Sequence, residues 1–170
     1  MSLTFQTATP NDIDAIIALQ EQIWEPTYRA ILDREQIDYM FQRIYSKEAL
    51  LDQMTTQQHV FVLAYSEDRL TGFAAFSRSA SEADRFKLHK IYVLPSEQGR
   101  GTGRFLLEEV VRRCWEDGGN WLYLNVNRYN KARQFYERQG FRVVREEDIP
   151  IGPYWMNDYV MEKPLSVDGR

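Results

Sequence analysis

Residues 92–105 read YVLPSEQGRGTGRF: apolar strand formers stop at Pro95, and three alternating glycines, Gly99, Gly101 and Gly103, lead into a helical pattern. Each Gly costs roughly 1 kcal/mol against Ala inside a helix, so this spacing points to close backbone approach or unusual torsions. A helix entered straight from a strand exposes its first N–H groups, and its macrodipole places about half a positive charge at that end. The glycines let several N–H groups turn inward without side chains in the way, which suits a pyrophosphate better than a single carboxylate. Arg100 and Arg104 add positive charge. Two familiar phosphate loops do not fit, because no Gly-Lys-Ser/Thr follows and the spacing misses G-x-G-x-x-G.

Working outward, FKLHKIYVLP predicts a strand before the glycines, and Leu106, Leu107, Val110, Val111 and Cys114 share one face of the helix after them. Asp117, Gly118 and Gly119 end that helix. WLYLNV is strand-like, NKARQFYERQ is a helix stopping at Gly140, and FRVVRE and YVMEKP are final strands. Toward the N-terminus, LTFQTA is a short strand, and Thr9, Pro10 and Asp12 supply cap, first-turn proline and first-turn acid for a helix. Its apolar set is Ile13, Ile16, Ile17 and Ile23, and Pro26 within WEPTY is expected to interrupt it. Ile37, Met40, Phe41 and Ile44 mark a second helix, and Leu50, Leu51 and Met54 form the core face of a third from Ser46. HVFVLAYSEDRLTGFAAFS is an antiparallel hairpin around Ser66 to Arg69. This order implies an α/β domain, a mixed sheet with helices on its faces in which strand-helix-strand units make parallel neighbours. Only the tail SVDGR, 166–170, looks expendable.

The 170 residues, 44% hydrophobic and 27% charged, suit one globular domain with a sizeable core. The net charge, 21 minus 25 or -4, gives no basic footprint for nucleic acid and no polybasic membrane anchor. Small-molecule chemistry is therefore the expectation. Cys114 is the single cysteine, so no internal disulfide forms, and its apolar setting favours packing. MSLTFQTATP lacks a signal-peptide pattern and no apolar run spans a bilayer, so a cytoplasmic protein is expected. Neither His59 nor His89 sits in a ligand-spaced cluster, so no metal is expected.

The run Gln98-Gly99-Arg100-Gly101-Thr102-Gly103 resembles the Q/R-x-x-G-x-G/A signature of the GCN5-related N-acetyltransferases, the GNAT family. IYVLP before it is similar to the family's fourth strand, and NKARQFYERQGF to a later motif, so the resemblance covers roughly Phe86 to Val143. More loosely, WEPTY, Trp24 to Tyr28, resembles the W/F-x-x-T-Y/F segment of the polyamine acetyltransferase branch. The resemblance implies one GNAT domain over 1–165, with a mixed, mostly antiparallel sheet, a splay between strands 4 and 5 and helices on both faces. It implies direct transfer of the acetyl group of acetyl-CoA, bound as co-substrate without a metal, to a primary amine in a ternary complex.

On that resemblance, the backbone of Ile91, Tyr92 and Val93 holds the pantetheine arm as an added strand, with packing the plain alternative for the Tyr92 ring. The Val93 N–H is the candidate to polarise the thioester oxygen. Gln98, Gly99, Arg100, Gly101, Thr102, Gly103 and Arg104 form the pyrophosphate seat. Tyr136 matches the family's general acid, with a core aromatic as its alternative. Asn130 is the candidate partner of the pantetheine arm and Asn127 the fallback, with a helix cap the alternative for both. His89 is the candidate base on its intrinsic pKa, set against a structural strand histidine, and Glu25 is another. Trp24, Glu25, Tyr28, Tyr154 and Trp155 are the candidate acceptor contacts, in segments read as loops, with Glu25 or Asp158 supplying charge to a cationic amine. The expected acceptor is a small molecule such as a polyamine. The alternatives are a protein N-terminus or lysine, or a non-catalytic acetyl-CoA-binding module, and the aromatics of the two segments alternatively close the core or form a homodimer contact.

Overall fold

Residues 2–166 are described by a computed structural model of the chain. In chain order the elements are β1 (Leu3–Thr7), α1 (Ile13–Tyr28), α2 (Arg34–Tyr45), α3 (Lys47–Met54), β2 (Val60–Ser66), β3 (Arg69–Arg78), β4 (Arg85–Val93), α4 (Thr102–Glu116), β5 (Trp121–Asn127), α5 (Ala132–Arg138), β6 (Arg142–Ile151) and β7 (Tyr154–Pro164). The strands form one sheet in the order β1-β2-β3-β4-β5-β7-β6. Every neighbouring pair is antiparallel except β4 and β5.

Alternation along the central strands covers both faces. Val62 and Ala64 of β2 pack with Leu106, Val110 and Val111 of α4, whereas Phe61 and Leu63 point the other way, toward Ile16, Ile23, Met40 and Leu50 of α1, α2 and α3. Each fully buried aliphatic side chain contributes roughly 1.5 to 3 kcal/mol, so both layers bind tightly to the sheet. α4 thus has a rigid floor beneath its N-terminus.

The parallel pairing of β4 and β5 is short. It runs from Arg85 opposite Trp121 to Leu88 opposite Leu124 and then stops. A register irregularity between Ala75 and Phe76 of β3 places an extra β4 residue, His89, at that point, and such a bulge bends and twists its strand away from its neighbour. His89–Val93 of β4 and Asn125–Asn127 of β5 therefore diverge as the two banks of a splay.

Four expectations are corrected. Pro26 does not interrupt α1, which runs on to Tyr28 because Ile23, Trp24 and Tyr28 all bury on its far end, outweighing the ~3 kcal/mol cost of an interior proline. Leu51 is 44% exposed, since Leu50 takes the core direction and its neighbour points about 100° away. The β5-α5-β6 unit does not make parallel neighbours, because β7 returns between β5 and β6. The segment IGPYW is no loop: β6 runs to Ile151 and β7 starts at Tyr154, leaving a tight hairpin at Gly152 with φ +57°. Of the expected tail, residues 167–170 lie outside the described residues.

Candidate active site

The loop between β4 and α4 has the geometry of an anion cradle. Gly99 and Gly101 adopt φ of +83° and +84°, left-handed torsions that side-chain-bearing residues avoid. Gly101 is the N-cap of α4 and supplies no side-chain cap, and no acid lies in the first turn. The N–H groups that open a helix have no acceptors of their own. Thr102 is 1% exposed, and its Oγ1 is buried with no hydrogen-bond partner. An uncapped 15-residue helix with an orphaned hydroxyl beside it fits a phosphate group. Arg100 is held only loosely, 4.0 Å from the buried Glu97 carboxylate, and the Arg104 guanidinium lies over the Phe105 ring. A Cβ on Gly103 would touch only the Phe135 ring at 3.6 Å and Val93 at 3.8 Å, so that position borders the splay.

Backbone polarity along the upper bank follows from the ladder. Leu94 N–H donates to Thr71 O at 2.9 Å, and an antiparallel ladder alternates between residues bonded to one neighbour and residues facing the other. Tyr92, two residues earlier, is thus bonded to β3, whereas Ile91 and Val93 turn their N–H and C=O groups toward the splay. Tyr136 of α5 lies on the α4 side, its ring 5.4 Å from Phe135 and 5.7 Å from Phe141. Burial holds its phenol well above the usual tyrosine range, with Tyr28 adding to the effect, so it stays protonated. The Asn130 side-chain oxygen accepts from Ala132 N–H and that of Asn127 from Tyr129 N–H, both at 2.9 Å, so each secures a turn.

On the opposite face, α1 and α2 cover the splay. Trp24 is 4% exposed and its indole Nε1 donates to Ile37 O at 3.0 Å, which locks α1 to α2. The Tyr28 and Tyr92 hydroxyls are 3.2 Å apart. Glu25 faces Arg29 at 2.9 Å in an exposed i,i+4 pair. The β6–β7 tip rests on α2: the rings of Tyr39 and Tyr154 are 5.4 Å apart and Gln36 Nε2 donates to Trp155 O. A Cβ on Gly152 would stand 2.0 Å from the Tyr39 hydroxyl, so only glycine fits beneath that contact. Trp155 itself is 58% exposed. The predicted acceptor residues are therefore divided: Tyr28 borders the splay, Trp24 is a buried strut, and Glu25 and Trp155 face solvent.

His89 stacks on His59 with ring centres 3.8 Å apart, and its Nε2 is 2.7 Å from Ser77 Oγ. Burial, then His59 and the lysines Lys87 and Lys90, push its pKa down to about 2. Lys90, almost fully buried, donates to Gln53 Oε1 at 2.7 Å, and desolvation lowers its pKa to about 7. Gln53, His59, His89 and Lys90, with Trp24, Tyr45 and Tyr92, line a cavity of about 260 Å³ between α3 and β4.

In the sequence Asp158 is one of two acids able to supply charge to a cationic amine, and the structure buries it on β7. Asp158 is 5% exposed and lies opposite Asn127, the last residue of β5. Burial lifts its pKa to about 6, with Asn125 working against the rise and Glu147 adding to it. Nothing in the periodicity singles it out, because Asp158 becomes buried only when β7 is inserted beside β5. Among the described residues, no group of three or more His, Cys, Asp or Glu is placed to hold a metal ion. Nor is any described helix long and apolar enough to cross a membrane.

Strand, splay and glycine-opened helix together form a phosphate-sized anion cradle beside a gap in the sheet. The family profile described as "Acetyltransferase (GNAT) domain" matches residues 28–154, and the chain belongs to that family. It is 28% identical to a spermidine N(1)-acetyltransferase of Thermoplasma acidophilum, over 96% of this chain and 98% of the relative. The solved structure of the PaiA N-acetyltransferase of that organism, in complex with coenzyme A, superposes with a TM-score of 0.82 over 96% of this chain and 99% of the other. Over 77 residues, 45% of this chain and 51% of the relative, it is 36% identical to the ribosomal protein bS18 alanine N-acetyltransferase of Haemophilus influenzae. The protein is an N-acetyltransferase of the GNAT family.

Proposed function

We propose that the protein transfers the acetyl group of acetyl-CoA to a primary amine of a small molecule, a polyamine being the leading class, by direct attack in a ternary complex. The carrying observation is the break in β4–β5 pairing after Leu88 and Leu124, directly beside an uncapped, glycine-opened helix. In this reading the N–H groups from Gly99 to Arg104 receive the pyrophosphate, with Gln98 at the entrance to the loop. The outward-facing backbone of Ile91 and Val93 pairs with the pantetheine arm. The Val93 N–H points at the oxygen that gains charge during transfer. Tyr136, kept protonated by its burial, delivers a proton to the departing sulfur. Asn127 and Asn130 shape the turn before α5 that sets the Tyr136 position.

The polyamine class is supported by the spermidine acetyltransferase that matches nearly the whole chain, and by aromatic and acidic groups on the α1 face of the splay. His89 is too strongly neutral, and too occupied by Ser77 and His59, to serve as the proton acceptor, so it reads as a structural residue that shapes β4. The buried Cys114 thiol, held protonated by desolvation, suits packing in a reducing, cytoplasmic setting. Release of free CoA thiol from acetyl-CoA, assayed against polyamines, amino acids and peptides, tests the proposal. Turnover is expected with spermidine or a shorter diamine. Turnover only with peptide N-termini or lysines would overturn the small-molecule assignment.

A further inference from the structure

Resting on the amine-acetylation reading, we propose that Asp158 is the seat of the acceptor's reacting ammonium group and accepts its proton, with Asn125 and Glu147 completing the seat. Three observations carry this. First, Asp158 is nearly fully buried and its Oδ1 has no hydrogen-bond partner. A buried carboxylate oxygen without a donor is costly, on the order of 1 to 3 kcal/mol or more, and calls for a partner such as a water, an ion or a ligand.

Second, neither of the two nearest cations hydrogen-bonds to its Oδ1. Arg128 donates through Nε to the Asp158 backbone oxygen at 3.2 Å and turns its terminal nitrogens to Glu146 and Asp148. Lys87 places its ammonium 5.8 Å from the centre of the Tyr123 ring and acts on Asp158 by charge attraction without a hydrogen bond to it. Glu147 is supplied by Asn125 and Arg145, both at 3.1 Å. Asp158 Oδ1 is left without a hydrogen-bond partner, although Asn125 lies close enough to the carboxylate to oppose the rise in its pKa.

Third, the place is right. Asp158 lies beside the end of β5, one strand from the splay, and shares its strand face with Met156, which packs in the α1–α2 layer. Its charge raises the Tyr28 phenol, and Tyr28 in turn meets Tyr92 on the opposite bank. Asp158 thus faces the opening from the acceptor side while Tyr136 faces it from the α4 side. The charged and titratable groups around it are Glu147 on β6, Lys87 on β4, Arg128 after β5 and Tyr28 on α1.

The step balances. Asp158 Oδ1 takes one proton from the bound ammonium and later releases it to water. The freed nitrogen lone pair forms the new C–N bond to the acetyl carbon. The C–S bond breaks with its electron pair on sulfur, which receives the Tyr136 proton, and the second N–H proton returns through solvent to the phenolate. One proton is released overall. A carboxyl near pH 6 in a dry setting lies closer to a desolvated ammonium than an exposed one would, which eases the transfer.

Asp158→Asn is the first test, because amide and carboxyl have the same shape. It should keep the thermal stabilisation by acetyl-CoA, lower kcat/KM for spermidine at least 100-fold, and lose the acidic limb near pH 6 in log kcat/KM. Calorimetry of spermidine and n-butylamine on the CoA-bound wild type needs no variant, and affinity should rise as pH goes from 5 to 7. Wild-type kcat/KM or a retained acidic limb in Asp158→Asn overturns the seat while leaving acetyl transfer intact. If the wild type acetylates no amine, the activity reading falls, and calorimetry still decides the seat: pH-independent amine affinity overturns it.

Discussion

The two faces of the sheet at the splay are built by opposite means. On the α4 face, the candidate site is backbone: N–H groups from Gly99 to Arg104 and from Ile91 and Val93, presented by one contiguous stretch of chain. On the α1 face it is side chains: Tyr28 from α1, Tyr92 from β4, Asn125 from β5, Glu147 from β6 and Asp158 from β7. A backbone cradle serves a constant group such as a pyrophosphate, and it survives sequence change that spares the glycines. A side-chain cradle is free to vary with the acceptor. On the proposed reading, the first face holds the acetyl donor and the second the amine acceptor.

The sharpest way to break this division is at Tyr136, the proposed proton donor of the α4 face. Tyr136→Phe keeps the ring between Phe135 and Phe141 and removes only the hydroxyl. Turnover is expected to drop roughly 10² to 10⁴-fold with acetyl-CoA binding nearly intact, as steady-state kinetics beside a thermal-shift titration will read. Normal turnover in that variant would return Tyr136 to a packing role.

Next in size is the strut beneath the α1 face. Trp24→Ala removes a buried indole and its bond to Ile37 O, and denaturant unfolding should show a loss of about 3 to 5 kcal/mol. Trp155→Ala, at an exposed position, should stay within about 0.5 kcal/mol of wild type. A Trp155 variant that raises KM for the amine but not for acetyl-CoA would place that ring in the acceptor site. Equal stability losses at the two tryptophans would contradict the burial difference.

The backbone cradle is tested by Gly101→Asp, which forces a side chain into φ +84° and brings a carboxylate to the helix N-terminus. Acetyl-CoA at 100 times its dissociation constant should stabilise wild type by about 2.7 kcal/mol, and the variant should lose that stabilisation. A folded variant with wild-type affinity would move the pyrophosphate elsewhere.

The smallest effect concerns pH. Burial holds His59 at about 4 and His89 at about 2, against an ordinary 6.5, so both are neutral in the fold. Their contribution is complete above pH 6.5 and declines as pH falls toward 4, because the unfolded chain binds these protons first. Asp158 works in the opposite sense, since its carboxyl is raised to about 6 and protonation below that value favours the fold. Chemical unfolding at pH 7.5 and 5 should therefore show a smaller acid loss in His89→Gln than in wild type. Parallel losses would mean that the histidine pair is not what titrates.

Much of this protein follows from local order along the chain. The alternation of β2 and β3, the helical stripe from Leu106 to Cys114 and the glycine spacing at 99, 101 and 103 each reflect a period or torsion that neighbouring residues impose. The cofactor face is legible for that reason: one loop and its flanking strand and helix contain nearly all of it. The acceptor face is not, because its polar groups come from strands and helices more than 100 residues apart, and β7 enters the sheet between β5 and β6 rather than beyond them. Pro26 reads as a helix end until burial of Trp24 and Tyr28 outweighs it, and Trp24 reads as a ligand contact until α2 closes over it. Sequence determined which backbone presents free N–H groups at a glycine-opened helix start, since torsion and dipole are properties of a few consecutive residues. Tertiary structure alone decided which carboxylate would be left dry and unpaired beside the splay, since burial and pairing are properties of the whole assembled sheet.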